Sequence, residues 1–153
     1  MGNLDEIDRK LLALLQEDDR STLSELSRQI GVAASTINDR IKRLAQQGVI
    51  AGFHARLSPE ALGLDLLAFM LVAWSDPAVE PVFLEAIRAS SAVLECHHVT
   101  GAWNYLLKIR VKTTREFESF LSGTVKAVAG VLRTETIIVL SSAKETWGLD
   151  VSR

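Results

Sequence analysis

The chain has 153 residues, of which 48% are hydrophobic and 24% charged, a composition typical of a folded globular protein and not of a disordered one. Its formal net charge of −2 gives no overall basic excess of the kind that many nucleic-acid-binding proteins carry. The longest stretches without a charged residue have 12 residues, fewer than the roughly 18 that a membrane span needs. The first residues are acidic and lack an apolar signal region, so we expect a cytoplasmic protein with no membrane partner.

Residues 1–57 carry apolar side chains at helical spacing in three successive segments. These side chains are Leu4, Ile7, Leu11, Leu14 and Leu15, then Leu23, Leu26 and Ile30, then Ile37, Ile41 and Leu44. The second segment opens with Thr22 and Glu25 in the spacing of a capping box, and it is followed by Gly31, which suits a helix C-terminus. The third helix is predicted to run to about Gln47, and the apolar residues after Gly48 predict a small hairpin. Three helices and a hairpin indicate a winged helix-turn-helix.

After Pro59 the pattern changes to apolar runs separated by helices, in the order βαββαβ. The predicted elements are a strand at Leu64–Trp74, a helix at Val79–Ser90, strands at Val93–Thr100 and Asn104–Val111, a helix from Thr114 to about Val128, and a strand at Val131–Leu140. This order is that of a ferredoxin-like αβ-plait, so the predicted fold class is α+β. The predicted domains are 1–57, a linker at 58–63, and 64–153.

The first predicted strand has no polar residue between Leu66 and Trp74. An antiparallel sheet with helices on one face should alternate apolar and polar residues, so both faces of this strand need to be covered. We expect a second copy of the chain to cover the second face, sheet against sheet. The alternative is that the strand is central and is shielded by its neighbours and by the N-terminal domain.

The outer face of the third predicted helix is polar and includes basic residues, and it is a candidate DNA-recognition surface. The candidate residues are Ser35, Thr36, Asn38, Asp39, Arg40, Lys42 and Arg43. Asn pairs with adenine edges and cations contact phosphates, whereas Arg40 lies nearer the flank, where it can reach a phosphate or an acid on the first helix. The alternative is an ordinary solvated helix face.

Charge distribution favours the DNA interpretation. Residues 1–27 hold three cations and seven anions, a formal charge of −4, whereas residues 28–56 hold five cations and one anion, a charge of +4. Basic charge is therefore confined to the parts of a helix-turn-helix that approach DNA. Because one such unit has few cations, we expect a dimer to present two recognition helices to successive major grooves.

The sequence contains no constellation that indicates an enzyme, a metal or a cofactor. It has no glycine-rich phosphate loop and no Gly-x-Ser-x-Gly nucleophile turn. Cys96 is the only cysteine, which excludes an intramolecular disulfide. His97 and His98 are adjacent on a predicted strand and so point to opposite faces, which is poor geometry for chelation. We therefore expect a binding protein without a cofactor or metal.

Two separated motif blocks resemble the Lrp/AsnC (leucine-responsive regulator, feast/famine) family over residues 4–148. The first block includes Glu25-Leu26-Ser27, Gly31-Val32 and residues 40–44, 48–50 and 52–53, and the second includes residues 95–101 and Tyr105-Leu106-Leu107-Lys108. The resemblance implies a DNA-binding winged helix followed by a βαββαβ (RAM) domain that dimerises through its sheet. It also implies assembly of homodimers to tetramers or octamers, with small effectors, usually amino acids, bound between dimers.

The family resemblance points to an effector site around the loop between the two central predicted strands. The candidate residues are His98, Thr100, Gly101, Ala102, Trp103, Asn104, Tyr105, Thr134 and Thr136. The family loop commonly reads Gly-Asp-aromatic-Asp-Tyr, but here Ala102 and Asn104 replace both acids. Because a carboxylate is lost, the selectivity for an α-ammonium group should be changed or the site lost. One of His97 and His98 is expected to be buried or interfacial and the other to lie near this loop.

A second departure concerns the start of the recognition helix, where family members commonly have Ser and this chain has Ala33, which removes a capping hydroxyl. All these features together predict a sequence-specific DNA-binding transcriptional regulator. Its predicted partners are double-stranded DNA and a small metabolite. The alternative is a chromosome-organising protein that wraps DNA without a ligand.

Overall fold

The computed structural model describes residues 4–152 and divides the chain into two compact units. The first unit contains the residues up to Arg56 together with those from Lys144 onward, and the second contains residues 57–143. The segment from Lys144 onward, which lies within the predicted domain 64–153, groups in space with the first unit. That grouping depends on contacts such as Gln16 with Leu149, 133 positions apart, which no local pattern encodes.

The first unit consists of three helices around a small apolar core. Helix α1 spans Glu6–Glu17, α2 spans Leu23–Ile30 and α3 spans Ala34–Gln46. Their fully or nearly fully buried apolar residues are Leu11, Leu12, Leu26, Ile37 and Leu44, all of them members of the predicted stripes except Leu12. Each stripe gives its helix one apolar side, and packing these sides together removes them from water.

The turn between α2 and α3 forms as the sequence predicts. The Thr22 side chain accepts from the Glu25 amide and the Glu25 side chain accepts from the Thr22 amide, which is a complete capping box. Gly31 ends α2 with φ +85°, a left-handed conformation that glycine adopts without strain. At the start of α3, Ala33 makes no side-chain capping bond. The helix-turn-helix geometry is therefore fixed at the end of α2.

The hairpin predicted after Gly48 is not formed, because residues 47–57 contain no strand. The amides of Val49 and Ile50 instead donate to the Leu44 carbonyl, at 2.9 and 3.2 Å, and so cap the C-terminal end of α3. Phe53 and Leu57 remain exposed. A two-stranded hairpin with no third strand or core to pack on is marginally stable, which is the physical reason for the difference.

The second unit is a four-stranded antiparallel sheet with two helices. Strand β1 spans Leu66–Ala73, α4 Val79–Ala89, β2 Val93–His98, β3 Tyr105–Val111, α5 Thr114–Phe120 and β4 Arg133–Ile138. The strand order is β2-β3-β1-β4, and β1 pairs with both β3 and β4. A short 3₁₀ helix at Glu60–Leu62 precedes β1, and a π-helical turn at Leu121–Val125 follows α5. The predicted βαββαβ order and α+β class are confirmed.

The helices pack on one face of this sheet and enclose the core of the unit. Alternate residues of β1 (Ala68, Met70 and Val72) pack there against Phe83 of α4 and Phe117 of α5. Trp74 is also buried in this cluster, with its ring 4.8 Å from that of Phe83. Because side chains alternate along a strand, the other β1 residues lie on the opposite face.

The opposite face of the sheet, called the open face here, has apolar residues at its centre and charged residues around them. The apolar residues are Phe69 and Leu71 of β1, Leu106 of β3 and Ile137 of β4, related by the strand register. Lys108 lies at 8% exposure beside them and is paired with Glu95 at 3.2 Å. Among the described residues, no helix is long and apolar enough to cross a membrane.

Candidate DNA interface and effector site

Helix α3 presents the predicted polar face outward. Ser35, Thr36, Asp39 and Lys42 are exposed, and Asn38 is half-buried. The opposite side of the helix carries the fully buried Ile37 and Leu44. Short polar side chains therefore lie in the first turns and a cation further along, which is the arrangement that base edges and phosphates require.

The first helix holds the basic residues of α3 through a buried carboxylate. Asp8 is 1% exposed, and its Oδ1 accepts from Arg40 Nη1 at 2.7 Å and from Arg43 Nη2. Asp5 accepts from the same Arg40 nitrogen at 2.6 Å. Asp5 and Asp8 also form the capping box of α1, each accepting from the backbone amide of the other. One pair of acids therefore caps α1 and attaches α3 to it.

The pKa values in this cluster reflect the ion pairs. The hydrogen bond from Arg40 holds the pKa of the Asp5 carboxyl below its ordinary value, and the bond from the Asp8 amide adds to the effect. The hydrogen bonds to Asp5 and then to Asp8 raise the pKa of Arg40 above its ordinary value. Within the described part of the chain, the buried Nε of Arg40 has no hydrogen-bond partner. The ion pair thus favours the charged forms of both Asp5 and Arg40.

The two arginines differ in what they can offer to DNA. The Arg40 side chain is 19% exposed. The sequence left two partners open for it, a phosphate or an acid of the first helix, and in the structure Arg40 is paired with Asp5 and Asp8. The Arg43 side chain is 46% exposed and bonds to Asp8 through one nitrogen, which leaves part of its guanidinium facing water. Asp5 and Asp8 were not predicted as functional residues. Their spacing, Asp5-x-x-Asp8 before an apolar helical stripe, is that of a capping box and could have identified them.

The loop between β2 and β3 is closed by Asn104. The Val99 amide donates to the Asn104 carbonyl at 3.0 Å, and the Asn104 amide donates to the Val72 carbonyl at 2.9 Å. The Asn104 side-chain oxygen accepts from the Trp74 amide at 2.8 Å. Gly101 adopts φ +104°, which favours glycine. Asn104 thus fastens the loop to the end of β1.

A cation covers the aromatic residue of this loop. The Arg133 guanidinium carbon lies 4.0 Å from the centre of the Trp103 ring, a cation–π distance. The same guanidinium approaches the Ala102 carbonyl at 3.5 Å. Arg133 is at the start of β4, 30 positions from Trp103, and was not among the candidate residues. The loop therefore has a positive group against its aromatic residue.

Other candidate residues form a row across the end of the sheet. His98 pairs with Tyr105, Tyr105 with Val72, and Val72 with Thr134, so His98, Tyr105 and Thr134 share one face. The His98 and Tyr105 rings stack at 5.0 Å. Tyr105 is 6% exposed and donates to Glu80 at 2.6 Å; this bond and burial raise its pKa to about 12.

The remaining candidates are placed less closely together. Thr136 is paired with Met70, two residues further along β4 than Thr134. Thr100, Gly101 and Ala102 are exposed in the loop. One histidine was predicted to be buried or interfacial; His97 and His98 are both exposed in the single chain, so neither is buried within it. A cavity of about 450 Å³ is lined by none of the candidates but by residues around Leu62, Leu94 and Arg110.

Comparison with known proteins identifies both halves of the chain. A family model described as the Lrp/AsnC ligand binding domain matches residues 67–149, and one described as winged helix-turn-helix DNA-binding matches residues 4–51. The chain is 38% identical to a proline dehydrogenase transcriptional activator of Rhizobium radiobacter, with 94% of each chain covered. It is 40% identical to the HTH-type transcriptional regulator FL11 of Pyrococcus furiosus, with 98% of each covered.

A solved structure gives the same assignment. The fold matches a transcriptional regulator of Neisseria meningitidis, solved as a complex with L-Met, with a TM-score of 0.93, 32% identity and 98% of both chains covered. The family models and the named relatives describe regulators of transcription and not enzymes. The chain belongs to the Lrp/AsnC family of transcriptional regulators.

Proposed function

We propose that this regulator reads double-stranded DNA with the exposed face of α3, and that a small metabolite acting at the loop of residues 99–104 modulates it. The observation that carries the DNA part is the pairing of Asp8 of α1 with Arg40 and Arg43 of α3, which holds α3 against α1. On the other side of α3, Ser35 and Lys42 are exposed and Asn38 is half-buried. Thr36, Asp39, Arg40 and Arg43 complete the proposed surface. Arg40 serves there as a support and Arg43 as both support and phosphate contact.

Substitution of Lys42 and of Asn38 by Ala is expected to separate affinity from specificity. Lys42→Ala should weaken binding to every sequence and reduce the slope of log affinity against log salt by about 0.9 for each copy bound, because one phosphate contact is lost. Asn38→Ala should mainly relax base preference, by about 1–3 kcal/mol at one position. Fluorescence anisotropy with a random duplex, and with a duplex enriched by the wild-type chain from a random-sequence pool, measures both quantities.

The matched control is Lys10→Ala, which removes an exposed cation of α1 that is paired with Glu6 at 2.8 Å. It should leave the salt slope unchanged. If Lys42→Ala and Lys10→Ala have the same slope, the proposed surface is misplaced. If Asn38→Ala weakens binding to the enriched and the random duplex equally, its assignment to base reading is wrong.

For the effector, the charge of the loop supports a ligand with a carboxylate. Arg133 brings a guanidinium to the Trp103 ring, and carboxylates are its natural partners. Between Val99 and Tyr105 the chain has no acid that would pair with an ammonium group. The proposed ligands are amino acids and the corresponding 2-oxo acids. L-Met is the first probe, because the Neisseria meningitidis regulator was solved with it.

A ligand at this loop is expected to raise the thermal midpoint Tm of the wild-type chain. At a concentration of 100 times Kd, binding adds about 2.7 kcal/mol, which is about 5–10 °C for a chain of this size. Trp103→Ala should abolish the shift, whereas Trp147→Ala, at a Trp that is 68% exposed, should keep it. A thermal-shift screen of amino acids and 2-oxo acids makes the measurement. A shift that survives in Trp103→Ala would place the ligand elsewhere.

A second candidate function is DNA wrapping without a ligand. The observation that favours it is that the Asn104 side-chain oxygen and the Trp103 face already have partners within the chain. In that case no compound of the screen changes Tm, and footprints extend over long DNA tracts whether or not metabolites are added.

We also propose that the chain forms homodimers through the open face of the sheet, which then assemble to tetramers or octamers. Phe69, Leu71 and Leu106 support this, because they form a connected apolar area on the face opposite the one on which α4 and α5 pack. A dimer also provides the second α3 that a small basic surface needs for tight binding.

A further inference from the structure

The turn between α2 and α3 is bonded twice to one residue of α2, Ser27. The Ser27 hydroxyl donates to the Val32 carbonyl at 2.5 Å, and the Ser27 carbonyl accepts from the Gly31 amide at 2.8 Å. Ser27 therefore bonds to the first and to the second residue of the turn that separates the two helices. The hydroxyl bond is part-buried, so loss of its donor would leave the Val32 carbonyl poorly solvated, which costs free energy.

The start of α3 lacks the side-chain cap that many helices have. Ala33 is the N-cap and makes no side-chain hydrogen bond, so the first-turn amides of α3 receive no cap from it. The backbone ladder of α3 begins with the Ile37 amide, which donates to the Ala33 carbonyl at 3.1 Å. The Val32 carbonyl lies one residue before that ladder. Its bond with Ser27 therefore attaches the beginning of α3 to α2.

Helix α3 is thus held at two places that lie at different levels along it. Asp8 of α1 pairs with Arg40 and Arg43, which lie in the middle and in the later part of α3. Ser27 acts on the residues before the first turn. Removal of the Ser27 bond would therefore release the start of α3, while the pairs with Asp8 would still hold its later turns.

The short polar side chains proposed to face base edges lie near the Ser27 end of α3. Ser35 and Asn38 are within about one and a half turns of the N-cap. Lys42, the proposed phosphate contact, lies further along the helix, in the part that Asp8 holds. A change in the direction of the first turn would therefore displace the base-reading side chains more than the phosphate contacts.

We infer that Ser27 is a positioning residue for base reading: its hydroxyl fixes the direction in which α3 leaves the turn, in place of the capping side chain that Ala33 lacks. This inference rests on the proposed function of α3. Ser27 acts through Val32 and requires no contact with DNA. Loss of its hydroxyl should reduce discrimination between DNA sequences and leave the number of phosphate contacts unchanged, because bases specify and phosphates position.

The test compares Ser27→Ala with Ser24→Ala in the full chain. Ser24 is an exposed residue of the same helix, so its substitution makes the same chemical change and keeps the bond to Val32. Ser27→Ala should lower the ratio of the affinities for the enriched and the random duplex about fivefold, the factor that one hydrogen bond contributes to an equilibrium. Ser24→Ala should leave this ratio at the wild-type value. Neither variant should change the salt slope, because no cation is removed.

A serine at position 33 tests whether Ser27 stands in for the missing cap. Ala33→Ser introduces a hydroxyl that can accept from first-turn amides of α3. Adding Ser27→Ala to Ala33→Ser should then lower the affinity ratio much less than fivefold. The comparison is made with Ala33→Ser alone, so that direct effects of the new hydroxyl on DNA cancel. An equal loss in both backgrounds would refute the compensation between the two positions.

A purely structural role of Ser27 gives a different result. In that case Ser27→Ala lowers the urea midpoint of unfolding, and the folded chain keeps the wild-type affinity ratio. That result would overturn the inference. Weaker binding to the enriched and the random duplex by the same factor would also overturn it, because base reading would then not depend on Ser27.

Hydrogen exchange of backbone amides separates this inference from the proposed function. Ser27→Ala should accelerate exchange of the Gly31 and Ile37 amides about fivefold, because they lie on either side of the released carbonyl, and Ser24→Ala should not. Unchanged exchange in Ser27→Ala would show that Ser27 does not hold the turn, which overturns the inference even if DNA binding is sequence-specific. If the wild-type chain does not distinguish the duplexes, the proposed function fails, and the exchange comparison still decides whether Ser27 holds the turn.

Discussion

Replacement of Asp8 by Asn is expected to lower the free energy of unfolding of the DNA-binding unit by about 3–5 kcal/mol, the usual cost of leaving a buried ion pair without one partner. Asp8 is 1% exposed and accepts from both Arg40 and Arg43. Asn has nearly the same shape but no charge, so both guanidinium groups would lose their shared counter-ion. Urea unfolding followed by helical circular dichroism measures the change, because α1, α2 and α3 form this unit.

The same substitution is expected to weaken DNA binding although it removes a negative charge close to the reading helix. Charge alone predicts the opposite, because fewer anions near the phosphates should favour binding. The expected loss follows from structure, since Asp8 attaches α3 to α1. The matched control is Asp39→Asn, which makes the same chemical change at an exposed position on α3.

Asp39→Asn should leave the free energy of unfolding within about 0.5 kcal/mol of wild type and should not reduce nonspecific DNA affinity. If Asp8→Asn and Asp39→Asn unfold at the same urea concentration, Asp8 does not support α3 as described. If Asp8→Asn binds random DNA more tightly than wild type, the charge argument wins over the structural one.

Replacement of Leu71 by Lys is expected to convert the proposed dimer to monomers at micromolar concentration. Leu71 lies on the open face between Leu106 and Glu135 in the strand register. In the monomer the new Lys can pair with Glu135 across the strands, so the sheet should stay folded. In a dimer, two copies of an apolar contact are lost, each worth about 1.5–3 kcal/mol, which together weaken association by about 10²–10⁴-fold.

Sedimentation velocity across a concentration series measures this effect. The matched control is Ile138→Lys, which introduces the same side chain on the other face of β4, at a position that is 49% exposed. Ile138→Lys should sediment as the wild-type chain does. A monomeric wild-type chain, or a Leu71→Lys chain that keeps the wild-type mass, would contradict dimerisation through this face.

Several elements could be predicted because their causes lie within a few residues of one another. The capping box of Thr22 and Glu25 and the left-handed Gly31 depend on neighbours in the chain, and both are present as expected. The apolar periods that predicted α1, α2 and α3 and the βαββαβ order are likewise local. The predicted hairpin after Gly48 fails because periodicity alone does not supply the partner strand or core that a hairpin needs.

The candidate sites were predicted less completely. The polar face of α3 follows from helix period, and its exposed residues are those expected. The sequence did not reveal the ion-pair partners of the basic residues of α3, because Asp8 and Arg43 are 35 positions apart. Similarly, the sequence indicated a loop around Trp103, but only folding brings Arg133 to within 4.0 Å of its ring.

The sequence by itself determined the helix-turn-helix, the order of the sheet domain, the family resemblance and the charge division within residues 1–56. The tertiary structure decided that Asp8 is the anchor of α3, that Arg133 covers Trp103, and that residues after Ala143 bind α1 through Gln16. The physical reason is the range of the interactions. Periods and caps act over three or four residues, whereas these contacts join residues 30 to 133 positions apart and exist only once the chain has closed.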